Sequence, residues 1–302
     1  MITHTAATLS DFASIIEALR AAWRLPPHKE IWFRGEDAKH ASTRLRPRLY
    51  RPIPGRPLLP VLDLLGVEND LYDDFERSAA QLSDVKPQAD WEWEWYFLMQ
   101  HHGVPSRLLD WTDGSLIALH FAVMSRSPAA TTDALVYCLN PYWMLKFLNW
   151  DADRQNAKDR WKAWLKVHKS SYSRGDWERL YLPASRSTNK KWPPPKTPIL
   201  WDSPHLERRV AAQRSRFMIF GTDPEWLSKL ADDQLGKGRE PIQAVAIQAH
   251  ATDRVRLELR DAGVSESVIF PDLDGLGREL DQQFRDRISV PERVKGPRRS
   301  TG

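Results

Sequence analysis

Three segments of the sequence place polar side chains with chemical potential where apolar runs end. The first, WFRGE, joins two aromatic residues to Arg34 and Gly35. The second, QHHGVPSRLLDWT at 100–112, combines amide, imidazole, guanidinium, carboxylate and hydroxyl groups around a glycine and a proline. The third, RRVAAQRSRF at 208–217, carries polar groups into an apolar run. Arginine is costly to bury without an anion and suits bidentate phosphate contacts, so these segments predict an anion- or nucleotide-binding cleft.

A purely structural interpretation of the same segments stays open. Arg107 and Asp110 are near enough in sequence to pair, and buried polar groups that satisfy one another would then pin the fold. Gly35, which follows an arginine, would let either a ligand or another stretch of backbone approach closely.

Several familiar kinds of site are not supported by the sequence. It contains no GxSxG, GxxxxGK[ST], GxGxxG or HExxH pattern. Cys138, the one cysteine, lies inside an apolar run and is expected to be a small buried hydrophobe. His101 and His102 are adjacent, so a helix points them about 100° apart and they chelate poorly. We therefore expect no metal, and we interpret the acidic residues of PDLDG as capping or turn residues.

The composition indicates a folded chain with an anionic partner as one option. The 302 residues include 14 Trp and carry a net charge of +4, enough for one large or two medium domains without disulfides. No apolar run approaches the ~18 residues of a membrane span, and the first residues do not resemble an export signal, so a cytoplasmic location without membrane association is expected. Basic residues concentrate in Arg44–Arg56, in 151–200 and in the tail from Arg287, as solvated faces or as a phosphate-binding surface.

The elements that must position these residues follow from periodicity and punctuation. Helices are predicted over residues 10–23 (capped by Ser10), 67–84, 91–102 (capped by Asp90), 116–124, 252–262 and 273–284. Strands are predicted over residues 31–35, 134–140, 215–221, 241–248 and 267–270. WEWEW also alternates as a strand would, but its spacing with the following apolar residues favours a helix. The irregular order of helices and strands predicts an α+β (mixed α/β) fold with a single compact core.

A change in amino-acid composition divides the chain. Residues 1–141 and 205–288 are predicted to form the core domain, 142–204 a basic, Trp- and Pro-rich insertion, and 289–302 a basic flexible tail. Trp161, Trp164, Trp177 and Trp192 in the insertion would either stack on nucleic-acid bases or pack internally. The i,i+3 spacing of the first two favours packing.

The motifs resemble those of the FRG domain, a family widespread in bacteria and their mobile elements. WFRG, QHHGVPSRLLDWT, AQRSRF and FPDLDG carry the resemblance, which extends from Ile31 to about Phe284. Ser106 stands where the family more often has threonine, which keeps the hydroxyl. The block at 100–112 is the most specific part.

A second, fainter resemblance is to ADP-ribosyltransferases of the Arg–Ser–Glu type. Arg34-Gly35 is similar to their aromatic-Arg-Gly strand end, and Thr112 before ALHFA is similar to their hydroxyl-bearing strand and helix. Gln213 stands at a plausible place for the third element, a catalytic glutamate, but an amide supplies no negative charge. The resemblance implies a split sheet and NAD as substrate. It implies catalytic roles for Arg34, Thr112 and Gln213, and NAD binding by Arg34, Gly35, Gln100, His101, Arg107, Asp110 and Trp111.

Two functional hypotheses of different class follow. The first is an NAD-dependent ADP-ribosyltransferase-like enzyme acting on a macromolecular target such as nucleic acid, as a bacterial toxin or antiphage effector. The basic insertion, Arg44–Arg56 and the tail would hold that target. The second is a non-catalytic module that binds a nucleotide or nucleic acid through the same cleft.

Overall fold

A computed structural model describes residues 1–37, 44–82, 92–124, 130–168, 174–183, 193–202, 211–238 and 240–289. The predicted cap Asp90, Trp192, the first residues of the 208–217 motif and nearly all of the tail lie outside this described part of the chain.

Seven strands form one mixed sheet. They are β1 (Thr3–Ala6), β2 (Trp32–Glu36), β3 (Leu108–Thr112), β4 (Ala134–Leu139), β5 (Ile199–Trp201), β6 (Ser215–Ile219) and β7 (Ile242–Ile247). Their order across the sheet is β1-β7-β4-β2-β3-β6-β5. The β1–β7 pair is parallel and the other pairs are antiparallel.

Helices cover the sheet. The described ones are α1 (Leu9–Ala22), α2 (Val61–Leu82), α3 (Glu92–His101), α4 (Ser115–Met124), α5 (Pro141–Asn149), α6 (Ala152–His168), α7 (Trp226–Asp233), α8 (Thr252–Asp261), α9 (Glu266–Ile269) and α10 (Leu273–Ser289). Short 3-10 segments occur at Arg48–Tyr50, Arg174–Tyr181 and Ala249–Ala251. The predicted α+β class with a compact core is confirmed.

The sheet opens between its two central strands, β2 and β3. They pair at a single position, Phe33 with Thr112. By contrast, β2 pairs with β4 from Trp32 to Glu36, and β3 pairs with β6 along its whole length. Beyond the single pair, toward Gly35 and Asp110, the ladder is interrupted. The sheet therefore consists of two well-paired parts joined by a short seam.

Strand alternation divides the core between the two faces of the sheet. One face carries a single cluster that includes Trp32, Trp111 and Tyr137. The other face carries two separate clusters, one around Phe33 with α1 and α4, and one around Phe217 with α3 and α6. The seam between β2 and β3 lies between these two clusters.

Residues 142–204 contribute to the cluster around Phe217. Trp161 is fully buried, Trp177 is buried, and Tyr181 donates a 2.7 Å hydrogen bond to the carbonyl of Thr197. β5 extends the sheet at its β6 edge. For Trp161 and Trp177 the structure thus agrees with the packing alternative, because a buried ring cannot stack on a base. The division of the chain into core, insertion and tail stays a prediction.

Several local predictions were wrong. Thr8, not Ser10, caps α1, its hydroxyl accepting from the amide of Asp11 at 3.0 Å. Residues 267–270, predicted as a strand, belong largely to the short helix α9, because Glu279 accepts hydrogen bonds from the Ser265 hydroxyl and the Ser267 amide at its first turn. The edge strands β1 and β5 were not predicted.

Two other predictions are confirmed. The carboxylate of Asp272 accepts from the amide of Gly275 at 2.8 Å, so the first aspartate of PDLDG caps α10. Cys138 is fully buried in β4, and burial raises the pKa of its thiol. Among the described helices, none combines the length and apolar character needed to cross a membrane.

Candidate functional site

A cavity of about 470 Å³ opens where β2 and β3 separate. Its walls come from β2 and the residue after it, the residue after the first 3-10 segment, the end of α3, β3, α4, the turn before β6, β6 itself and the residue after α9. They comprise Phe33, Arg34, Gly35, Glu36, Asp37, Arg51, Gln100, His101, Asp110, Trp111, Thr112, Phe121, Gln213, Ser215, Phe217 and Phe270. Segments that are far apart in sequence thus contribute both charged and aromatic groups to one space.

Arg34 bridges β2 and β3 beside the seam and borders the cavity. Its Nη1 donates to the backbone carbonyl of Asp110 at 2.8 Å, and its Nε donates to Glu36 at 3.1 Å. A guanidinium therefore satisfies a β3 carbonyl at the point where the strand ladder is interrupted. Its Nη2 makes no hydrogen bond to any described residue, so part of the fork stays available to a ligand.

Glu36 lies between two arginines. One oxygen accepts from Arg34 and lies 3.9 Å from the guanidinium of Arg51, while the other, Oε2, is buried without a hydrogen-bond partner in the described structure. Burial first, and then the nearby charge of Arg34, lower the pKa of Arg51 below its ordinary value. Two guanidiniums thus converge on one carboxylate, and the carboxylate of Asp110 lies 4.0 Å from Arg34.

A chain of polar contacts fixes the part of the wall that carries Asp110. Gln100 donates to Asp110 at 2.9 Å and accepts from the Ser106 hydroxyl at 2.7 Å. Ser106 also accepts from the amide of Leu108 at 3.1 Å, which ties the chain to the start of β3. The Ser106 hydroxyl therefore positions Gln100, and through it the carboxylate of Asp110.

Thr112 positions the turn that carries Gln213. Its hydroxyl donates to the Gln213 carbonyl at 2.7 Å and accepts from the Gly114 amide at 3.0 Å. Asp113 binds the guanidinium groups of Arg214 and Arg216. The Gln213 side chain faces the cavity and donates a long 3.4 Å bond to the Ile269 carbonyl.

Arg107 does not line the cavity. It is 2% exposed and bound to Glu68, which is fully buried; it also donates to the carbonyls of Tyr181 and Phe220. Burial opposes its charged form, but the Glu68 carboxylate outweighs burial and raises the pKa of Arg107. The predicted pairing with Asp110 is wrong, because α2 places Glu68 against Arg107 while Asp110 lies beside Arg34 and Gln100.

Gly35 and Trp111 border the cavity but are held by the fold. A Cβ at Gly35 would lie 2.0 Å from the carbonyl oxygen of Ala118, so this glycine lets α4 approach β2. Trp111 is 2% exposed and belongs to the cluster on the other face of the sheet. Both therefore shape the cavity mainly through the backbone.

Aromatic side chains supply the apolar part of the wall. Phe121 of α4 and Phe270, just after α9, meet edge to face with ring centroids 5.9 Å apart. The guanidinium of Arg278 lies 4.7 Å from the centroid of the Phe270 ring. A flat, aromatic part of a ligand would find complementary surface here.

Eight of the nine residues assigned from the sequence border the cavity: Arg34, Gly35, Gln100, His101, Asp110, Trp111, Thr112 and Gln213. Sequence reasoning did not assign the other eight lining residues: Phe33, Glu36, Asp37, Arg51, Phe121, Ser215, Phe217 and Phe270. Strand alternation held a signal for Glu36, which shares a strand face with Arg34 two residues earlier. Arg51 lay in a stretch interpreted only as a basic surface, and Phe270 in a predicted strand.

Residues 29–131 match the family model described as the FRG domain. The chain contains an FRG domain. No curated protein and no solved structure matches the chain. The FRG domain supplies β2, α2, α3, β3 and α4, and with them Arg34, Gln100, Asp110 and Phe121. Gln213 and Phe270 come from beyond it, so residues on the C-terminal side complete the cavity.

The predicted basic surface is partly neutralised. In Arg44–Arg56, Arg44 pairs with Asp232 and Arg46 pairs with Glu225, both at 2.8 Å. Within the described residues, no group of three or more His, Cys, Asp or Glu side chains is arranged to hold a metal ion.

Proposed function

We propose that the cavity binds NAD and that the FRG domain protein transfers ADP-ribose from it. The convergence of Arg34, His101, Thr112 and Gln213, from four separate segments, on one cavity is the observation that supports this proposal. The cavity volume falls in the range of small-molecule sites.

The charged end of the cavity suits a pyrophosphate. The Nη2 of Arg34 makes no hydrogen bond to the described residues, and Arg51 lies on the other side of Glu36. Both guanidiniums border the cavity, which the carboxylates of Glu36, Asp37 and Asp110 also line. Arginine forks bind phosphate oxygens in a bidentate manner, so a ligand with two linked phosphates would engage both.

The aromatic end suits a ring. Phe121 and Phe270 form an apolar corner beside this charged end, and Phe33 and Phe217 border the same space. Either the nicotinamide or the adenine of NAD would bury apolar surface there. One ligand that carries both a diphosphate and rings therefore satisfies both ends.

The proposed transfer needs negative charge near the sugar. The bond between ribose C1′ and the nicotinamide nitrogen breaks, nicotinamide leaves with the bonding pair, and an acceptor bonds to C1′ and loses a proton. A carboxylate beside the cavity would stabilise the positive charge that develops on the ribose. Glu36 and Asp110 are the candidates in place of the missing glutamate at position 213. Gln213 would orient the acceptor, for which we propose a macromolecule such as nucleic acid, in a toxin or antiphage setting.

A binding module is the second candidate. The Thr112 hydroxyl, expected to act on NAD, is hydrogen-bonded on both sides within the protein, which favours a structural role for it. A module of this kind would bind the nucleotide through the same arginines without consuming it.

The test measures release of nicotinamide from NAD, with nucleic acid and cell extract as acceptors. Arg34→Lys keeps the charge but loses the fork, and we expect it to abolish release. Arg44→Lys is the matched control: it is 18% exposed against 16% for Arg34, and it also binds one carboxylate and one carbonyl, away from the cavity.

Calorimetric titration with NAD separates the candidates. Binding that depends on Arg34 but not on Arg44, without nicotinamide release under any condition, would favour the binding module over the transferase. No binding of NAD, ADP-ribose or a mononucleotide would contradict both.

A further inference from the structure

Helix α10 is attached to the protein through a polar and small-residue face. Gly275, with a hypothetical Cβ only 2.0 Å from the Phe270 carbonyl oxygen, lies against the chain before the helix. Glu279, one turn on, accepts from Ser265 and Ser267 of the α9 cap. These hydrogen bonds, Ser267's first, lower the pKa of Glu279. The surface of α10 that contacts the protein is thus not its apolar one.

The apolar side chains of α10 form a stripe on the outward face, here called the α10 stripe. It comprises Leu273, Leu276, Leu280, Phe284 and Ile288. They are exposed by 84%, 43%, 53%, 58% and 66%, respectively. Their spacing of three or four residues places them along one side of the helix for its whole length. Contiguous exposed apolar surface of this kind marks an interaction site.

Gly277 lies on this same face. A Cβ added there would meet no atom within 4 Å, so no packing within the described chain requires a glycine. Glycine inside a helix is less favourable than alanine. A bulky side chain from outside the chain that fits over Gly277 would account for it.

The flank of the stripe carries alternating charge. Asp274, Arg278, Asp281 and Arg285 follow one another at spacings of three or four on one side of the stripe. Arg285 pairs with Asp281 at 2.8 Å, and Arg278 donates to Glu266. Asp274 has no ion pair within the described residues.

We propose that the α10 stripe pairs with the α10 stripe of a second copy of this chain, antiparallel about a twofold axis at Leu280. Such an axis brings each flank against itself. Phe284 of the second copy then lies over Leu276 and Gly277, and Ile288 lies beside Leu273. Asp274 comes level, within one residue, with Arg285 of the second copy. This register sets Leu276 and Gly277 against Phe284, and it brings Asp274 level with Arg285; Arg287 then lies at the end of the pair, beside Leu273.

The first test places one cysteine on the stripe of the full chain. The native Cys138 is fully buried, so Leu280→Cys should form a disulfide-linked dimer under mild oxidation. Leu273→Cys is the matched control on the same stripe: its two copies would lie about 20 Å apart, given a rise of about 1.5 Å per residue. Efficient cross-linking through Leu273 and not through Leu280 would overturn the register.

The second test measures mass in solution by analytical ultracentrifugation. We expect a dimer, converted to a monomer by Leu280→Asp but not by Leu257→Asp, a control on α8 with 47% exposure. Arg285→Asp should raise the dimer dissociation constant about tenfold, and adding Asp274→Arg should restore it. Restoration by the second charge reversal distinguishes self-pairing from binding of an unrelated protein.

Three outcomes would overturn the proposal. One is a wild-type protein that is monomeric in solution. Another is a dimer unaffected by Leu280→Asp. The third is a monomer that co-floats with phosphatidylglycerol vesicles and loses this property in Leu280→Asp, which would assign the stripe to a lipid surface.

Discussion

Arg34 and Arg107, two arginines from the motif segments, have different roles in this chain. Arg34 divides its guanidinium between the seam and the cavity, whereas every group around Arg107 belongs to the protein. Both lie in the motif segments that carry the candidate site, Arg34 within β2 and Arg107 just before β3. Only the position of Glu68, almost forty residues before Arg107, separates their roles.

Arg107→Met should destabilise the protein by about 3–5 kcal/mol, because it leaves the buried Glu68 carboxylate without its cation. Urea denaturation measures this free energy of unfolding. The double variant Glu68→Leu/Arg107→Met should lose less than the sum of the two single variants, since neither charge is then left unpaired. A stability loss below about 1 kcal/mol for Arg107→Met would contradict the structural role.

Sequence reasoning located eight of the 16 cavity residues because motif segments stay together in three dimensions. It placed Arg107 in the cleft because nothing in the sequence pairs Arg107 with α2. Glu68 lies on the apolar side of that helix, three residues before Leu71, and it is fully buried. It missed Phe270 because the short apolar run at 267–270 suits a strand as well as a helix. The contact that favours the helix is the hydrogen bond from the Ser267 amide to Glu279, and Glu279 lies in α10, beyond that run.

At the scale of elements, α1 ends in a strained residue. Arg24 has φ of 51°, in the left-handed region that favours glycine. The amide of Leu25 bonds to the Arg20 carbonyl, and that of Arg24 to the Ala21 carbonyl, the hydrogen-bond pattern of a glycine-type helix end. The helix therefore ends with the hydrogen bonds of a glycine-type cap, but an arginine occupies the position that glycine would fill with less strain.

Arg24→Gly should therefore stabilise the protein by about 0.5–1 kcal/mol, the relief of left-handed strain being partly offset by the greater entropy of glycine in the unfolded chain. Thermal or urea unfolding would measure the gain. Arg24→Ala removes the same side chain but keeps the strain, and it should give no gain. Equal stabilisation by both variants would refute the explanation by strain.

Elements with strong internal patterns were predicted well, and edge elements were not. α4 and β4 are long apolar runs, and both form as expected. β1 and β5 are short strands whose pairing partners, β7 and β6, lie far along the chain or follow a segment outside the described residues. Their strand state depends on the sheet edge that they meet, and no local pattern encodes that edge.

At the scale of the whole molecule, a buried histidine connects α4 to α9. His120 is 1% exposed, and its Nε2 lies 3.0 Å from Glu266. Burial lowers the pKa of His120, and Glu266 raises it by a smaller amount, so the net pKa is below the ordinary value. The folded protein therefore takes up this proton at lower pH than the unfolded chain does.

The stability of the protein should accordingly fall as the pH drops below about 6.5, where the unfolded histidine gains its proton first. One proton limits the slope to about 1.4 kcal/mol per pH unit. His120→Gln keeps an amide nitrogen near Glu266 but does not titrate. We expect a shallower loss for this variant between pH 7.5 and 5.5, measured by urea unfolding. Parallel profiles for the two proteins would contradict this origin of the acid sensitivity.

The seam between β2 and β3 has a mechanical consequence. A sheet resists bending through its ladder of backbone hydrogen bonds, and here that ladder narrows to the pair Phe33 and Thr112, with the bond from Arg34 to Asp110 beside it. The two parts of the sheet thus meet along a line of low bending stiffness. The width of the cavity depends on the angle between these two parts. Arg34 contacts both parts, so an anion bound to Arg34 would change that angle.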